Sequence, residues 1–251
     1  MKTSNVLLAA CIALGAAIYF MKQPAQQLPD NVIIIGTNSD YPPFSFKEGD
    51  EIVGFDIDLA KAVLDRLGKN YFIKNMSFDA LITDMQLGNI HMIASGMTPT
   101  QERAKQMFFT TPHLVDDPLL IISTPENPIE NLEALSNRRV VVNSGFTADL
   151  FISNMPGIDI IRLATPVEAF MELNTKHADA FVAAQSSVQG YLTHHKKHPY
   201  HIAIIPDAAD SYALAVGKKH PELYEEIEAV IQEMQQDGSL DALKKKWDLN
   251  D

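Results

Sequence analysis

From Asn31 onward, short β-branched runs alternate with longer stretches of helical period. Val32 to Ile35, Tyr71 to Ile73 and Ile90 to Ala94 read as strands, with helices at Phe55 to Leu67 and Asp79 to Leu87 between them. This βαβα order predicts an α/β fold with largely parallel sheets. Gly68 and Gly88 each follow a helical stretch, where a left-handed C-terminal cap is wanted. The same grammar restarts after residue 130. Arg139 to Val142 and Ile158 to Arg162 read as strands and Phe146 to Ser153 as a helix, and Thr165-Pro166-Val-Glu168 opens another helix with a capping box and a proline at its first position. The chain returns through His201 to Ile205 and Ser211 to Val216, then ends in helices at Pro221 to Gln236 and Ser239 to Trp247. With no internal repeat, low-complexity tract or long linker, the pattern predicts two α/β lobes joined by two extended crossings at Pro118 to Ser123 and Ser211 to Val216.

Composition narrows the partners. The 251 residues are 46% hydrophobic and 21% charged, enough for real cores. With 32 acidic against 20 basic residues, the net charge of -12 argues against nucleic acid or an anionic membrane surface as the main partner. The single cysteine, Cys11, lies in the N-terminal apolar segment, so the folded part holds neither an intramolecular disulfide nor a thiolate metal site. That segment runs from Val6 to Met21 between Lys2 and Lys22 and reads as an export signal or short anchor over residues 1–27. It is shorter than the roughly 20 residues a spanning helix wants. Leu8-Ala-Ala-Cys11 also matches a bacterial lipoprotein processing box, although the apolar residues after Cys11 do not resemble a polar tether.

The segment Ala94-Ser-Gly-Met-Thr98-Pro99-Thr-Gln101-Glu-Arg103 carries the most chemistry. Thr98 as N-cap, Pro99 at N1 and Gln101 at N3 predict a capping box at a helix start. Free backbone N–H groups there favour an anion, and Arg103 one turn on adds a planar fork for a carboxylate. Gly96 lets a ligand approach the backbone. Spacing alone favours an ordinary capped helix whose arginine pairs with a surface acid.

Taken together, Gly36-Thr37-Asn38 with Tyr41-Pro-Pro-Phe44, Gly54-Phe-Asp-Ile-Asp-Leu-Ala60, Ser77-Phe-Asp-Ala-Leu81, Ser95-Gly-Met-Thr98 and Glu102-Arg-Ala-Lys105 resemble the extracellular solute-binding proteins for polar amino acids. The match continues through Ser144-Gly-Phe-Thr147, Ala178-Asp-Ala-Phe181, Tyr212-Ala-Leu-Ala-Val216, Asp237-Gly-Ser-Leu240 and Lys246-Trp247. The resemblance implies a type II periplasmic binding protein-like fold, with two α/β lobes, a ligand cleft between them and two hinge crossings. Lobe one would comprise residues 28–117 and 211–251, and lobe two residues 118–210. It further implies a periplasmic, monomeric protein without cofactor or metal, which delivers a free amino acid to an inner-membrane ABC permease.

Site roles come from the same resemblance. Arg103 would hold the ligand α-carboxylate with Thr98, beside Ser95 and Met97, and Gly96 would turn a carbonyl to the α-ammonium. Thr147 and Asn143 would add lobe-two groups, and Tyr41 and Phe78 would wall the ligand side chain by packing and cation–π attraction. Asn38 and Asp40 would face the side-chain end, which leans the ligand towards a basic one such as arginine. One departure concerns the ammonium. The acid usual after Asp179-Ala-Phe-Val-Ala183 is missing from Ala184-Gln185-Ser186-Ser187-Val188, which leaves the amide of Gln185 as the candidate. His91 stands where an acid is usual and is expected to be structural. The cluster His194, His195, His198 and His201 reads as a solvated helix end rather than a metal site. Two rivals remain open: an enzyme on the same scaffold, similar to cyclohexadienyl or arogenate dehydratases, and a ligand-sensing module.

Overall fold

The computed structural model describes residues 31–194 and 200–249. The N-terminal apolar segment with Cys11 and the histidines at 195 and 198 lie outside the described residues, and no helix among the described ones is long and apolar enough to cross a membrane.

The chain opens with β1 (Val32–Thr37) and a small meander of β2 (Asp40–Tyr41), β3 (Ser45–Glu48) and β4 (Glu51–Val53). Next come α1 (Phe55–Arg66), β5 (Asn70–Asn75), α2 (Phe78–Leu87), β6 (Met92–Ile93), the single-turn α3 (Gln101–Ala104) and β7 (Met107–Phe109). Gly88 closes α2 in the left-handed conformation, with its N–H on the carbonyls of the last turn, as its position in the pattern predicts. A ten-residue strand, β8 (Leu114–Ser123), leads into β9 (Arg139–Asn143), α4 (Thr147–Ser153), β10 (Asp159–Leu163), α5 (Pro166–Asn174), β11 (Ala180–Ala184) and α6 (Gln185–His194). The return runs through β12 (His201–Tyr212) and β13 (Ala215–Gly217) to α7 (Pro221–Gln236) and α8 (Ser239–Lys246). Thr165 and Glu168 form the predicted reciprocal capping box on α5.

Two five-stranded sheets result, in the orders β5-β1-β6-β13-β7 and β10-β9-β11-β8-β12. Each is mixed rather than largely parallel. β1 pairs parallel with β6, and β9 with β10 and β11, but β13 and β8 run antiparallel to their neighbours. The reversal comes from the crossings: a chain that leaves one sheet and returns lays its last strand against the incoming direction. The first passage falls at residues 110–113, ahead of the Pro118–Ser123 stretch expected to carry it, which instead lies within β8. The second falls at residues 213–214, inside the predicted Ser211–Val216 stretch.

Both faces of each sheet are covered. In the first, Ile35, Met92 and Val216 pack with Leu59, Val63 and Leu64 of α1 and with Leu223, Ile227, Val230, Ile231 and Met234 of α7, while Leu81 and Met85 of α2 cover the other face with Ile93 and Ala215. The α7 residues fall at helical spacing on one stripe, and each such burial contributes about 1.5–3 kcal/mol. In the second sheet Val140, Val142 and Val182 face Ile152 of α4, and Val141 and Phe181 face Phe170 and Leu173 of α5. The chain end is pinned by Asp58 of α1, which accepts from Lys246 Nζ at 2.6 Å and Trp247 Nε1 at 2.9 Å.

Candidate functional site

The loop after β6 is shaped from beneath. Asp56, fully buried in the first turn of α1, accepts the Gly96 N–H at 2.6 Å, and His113 Nε2 lies 2.9 Å from its other oxygen, outside hydrogen-bond alignment. Gly96 has φ of 56°, and a Cβ there would collide with the Tyr41 ring. Ser95 Oγ accepts the Asn38 N–H at 2.9 Å, and the Met97 carbonyl accepts from Ala213 N–H at 3.1 Å, tying the loop to β1 and to the return crossing.

The helix that follows starts later than its sequence suggests. Thr100, not Thr98, is the N-cap, and its hydroxyl accepts from the Arg103 N–H at 3.2 Å. Thr98 meets Arg103 through its backbone instead: the guanidinium folds back and donates through Nη1 to the Thr98 carbonyl at 2.9 Å. Its Nη2 donates across the cleft to the Gly145 carbonyl at 2.8 Å. Arg103 is 3% exposed and its Cζ stands 5.5 Å from the centre of the Phe78 ring. Burial lowers its pKa to about 10 while Asp210 opposes that shift, so it stays charged at neutral pH.

On the opposite wall, Gly145 (φ 78°) turns the chain into α4 and donates its N–H to Asp149 at 3.0 Å. Phe146 projects from that turn into the cleft. Its ring stacks on Phe78 at 4.1 Å between centroids and meets Tyr41 edge-on at 5.4 Å. Thr147 Oγ1 donates to the Asp210 carboxylate. Burial raises Asp210 to about 6, with Asp117 adding to the rise and Thr147, Thr98 and Arg103 opposing it. Beside it, Asp117 accepts the Ser186 N–H at 3.1 Å and the Tyr212 hydroxyl at 2.6 Å. Because the Tyr212 proton is used there, Tyr41 donates to the Tyr212 oxygen at 2.7 Å. Burial, reinforced by surrounding negative charge, keeps both phenols neutral, with pKa values well above the ordinary one.

The structure thus gathers Tyr41, Phe78, Gly96, Thr98, Arg103 and Thr147 at one centre. Asn143 lies beside them, sharing with Phe146, Thr147, Ala184 and Asp210 a crevice of about 10 Å³, at the lower limit for one water. Asn38 and the exposed Asp40 sit further out, joined by a 3.3 Å hydrogen bond, and with Phe78 and Asp79 they line a cavity of about 370 Å³. Ser95 and Met97 are buried as loop supports. Gln185 does not join this group. As the exposed first residue of α6 it lines a different cavity, of about 620 Å³, with Pro43, Phe46, Asp116 and Trp247. Ala184, one residue earlier at the end of β11, is the one that faces the crevice. His91 is structural: its Nδ1 accepts the Ile34 N–H at 2.8 Å, and burial, with His220 nearby, lowers its pKa.

Sequence reasoning missed Phe146 and Asp210. The available signals were an aromatic residue at a Gly-to-helix turn and an acid two residues before Tyr212 in the same strand.

Comparison with known proteins agrees with this architecture. The chain is 30% identical to the arginine-binding extracellular protein ArtP of Bacillus subtilis (strain 168) over 247 residues, covering 96% of each. A solved structure described as an ancestral arginine-binding protein bound to glutamine superposes with a TM-score of 0.80 at 32% identity, covering 89% of this chain and 100% of that one. The ancestral amino acid-binding protein AncCDT-1, described as a precursor of cyclohexadienyl dehydratase, gives 0.75 at 30%, covering 86% and 95%. With residues 33–250 matching their family profile, the chain belongs to the bacterial extracellular solute-binding proteins, family 3.

Proposed function

We propose that the chain is the substrate-binding protein of an amino acid ABC importer. It acts outside the cytoplasmic membrane, closes two lobes around one free polar amino acid and hands it to an inner-membrane permease. The observation that carries this reading is Arg103: a buried, charged fork, held by the Thr98 carbonyl, that reaches from the first sheet's loop to the Gly145 carbonyl on the second. Such a group binds a carboxylate in two-point fashion and couples binding to closure. The outer cavity supports a cationic side chain, because Asp40 and Asp79 border it beside the Phe78 ring, while the Arg162 that also lines it is paired with Asp149 at 3.0 Å. The arginine-binding relatives point the same way. A thermal-shift panel of the twenty amino acids and ornithine tests the reading. A ligand at 100 times its Kd adds about 2.7 kcal/mol, and no shift with any of them rejects it.

A second reading, a dehydratase on the same scaffold, draws on Asp210, a buried carboxyl titrating at about 6 beside the aromatic slot, and on the likeness to the dehydratase precursor. Incubation with cyclic acids related to aromatic amino acids, followed by mass spectrometry, separates the two.

A further inference from the structure

Phe146 and Asp210 stand where an amino acid ligand would stand if Arg103, Thr98 and Thr147 form its carboxylate seat, a role that rests on the binding function proposed above. We infer that these two residues form a built-in occupant of the site, with the Phe146 ring in the aromatic slot and the Asp210 carboxylate in the carboxylate seat, and that a ligand binds by displacing both.

The contacts are those of a ligand. The Phe146 ring lies stacked on Phe78 at 4.1 Å and edge-on to Tyr41 at 5.4 Å, which fills the space between the two aromatic walls. The Asp210 carboxylate accepts from the Thr147 hydroxyl and lies close enough to Thr98 and Arg103 for both to lower its pKa. Arg103 itself spends Nη1 and Nη2 on the Thr98 and Gly145 carbonyls. Two of the five guanidinium N–H groups are engaged in this way, and the Asp210 charge close by repels a second carboxylate until Asp210 moves away. The crevice behind Asp210, lined by Asn143, Thr147 and Ala184, measures about 10 Å³ and is too small for a carboxylate. Phe146 and Asp210 both stand on the second sheet's side, in the turn before α4 and on β12, and the Phe146 ring reaches Phe78 and Tyr41 on the opposite wall, as a bound amino acid would.

A self-occupied site sets a threshold. If the open seat is populated only to a few per cent, the measured affinity falls by that same fraction. Removing either part of the occupant therefore tightens binding, roughly tenfold or more for each. An Asp210 that served instead as the ligand's ammonium acceptor has the opposite signature, because neutralising it weakens binding.

The test measures affinity for each of the twenty amino acids and ornithine with the full chain, Phe146→Ala and Asp210→Asn, following cooperative melting throughout. Asp210→Asn preserves shape and so carries the test alone should Phe146→Ala fail to fold. Tighter binding in the variants supports the inference, including binding that appears in the variants only. Binding by the wild type with equal or weaker affinity in both variants overturns the inference and leaves the importer reading standing. Absence of binding in all three overturns the importer reading, and this inference with it.

Discussion

The two ends of the cleft are built on opposite plans. At the inner end Arg103, Asp210, Asp117, Tyr41 and Tyr212 are buried, and their polar atoms are paired within the protein. At the outer end Asp40 and Asp79 face a cavity of about 370 Å³ and are exposed. A charged contact is worth most where water is excluded, so on the proposed function the inner end would set how tightly an amino acid is held. The outer end discriminates among side chains at low cost, through screened charge and the face of Phe78.

This contrast is broken most severely by Arg103→Ala. Losing one partner of a buried, charge-assisted contact costs on the order of 2–5 kcal/mol, so titration calorimetry should show affinity falling about 100-fold or more. Arg103→Lys should fall nearly as far, because an ammonium cannot reproduce the fork. Gly96→Ala acts on the same end through the backbone. Its new methyl meets the Tyr41 ring at a left-handed φ, and urea unfolding should record a loss of about 1–3 kcal/mol.

The titration of Asp210 gives the third effect. Its folded pKa of about 6 lies above the unfolded value of 3.8, so the native chain takes up this proton first. The cost of ionised Asp210 is therefore complete above pH 6 and is relieved as pH falls from 6 towards 4, by on the order of 2–3 kcal/mol. The groups around it are Asp117, Arg103, Thr98, Thr147, Tyr41 and Tyr212. Asp210→Asn should remove this component from a stability profile taken between pH 7.5 and 4.5, and a profile unchanged by the substitution contradicts it. The outer end should respond least. Asp40→Asn should weaken binding of a basic amino acid by about threefold, and 0.5 M salt should shrink even that difference.

Much of the scaffold was legible because local rules and tertiary packing agree there. The apolar stripe of α7 was bounded from Pro221 to Gln236, and the Thr165 capping box was predicted from four residues. The β2–β4 meander was not, since its strands are two to four residues long and rich in charge. At the candidate site, the sequence drew attention to residues that share one loop and passed over Asp210, which is brought there by strand pairing. Asp210 acquires its role only because β12 pairs with β8 in the register that sets it opposite Asp117. Gln185 misled by a single position: β11 ends at Ala184, and one step along the chain at a strand-to-helix boundary moves a side chain from the crevice to the outside.

A crystal structure of the chain grown with L-arginine puts the carboxylate seat and its built-in occupant to the most direct test. The ligand carboxylate is expected within hydrogen-bond distance of Arg103 and the Thr98 and Thr147 hydroxyls, the guanidinium of the ligand towards Asp40, and Phe146 swung away from Phe78. Arginine bound with Phe146 still stacked on Phe78, or seated in the cavity beside Gln185 and Trp247, would contradict both the seat and its displacement by ligand.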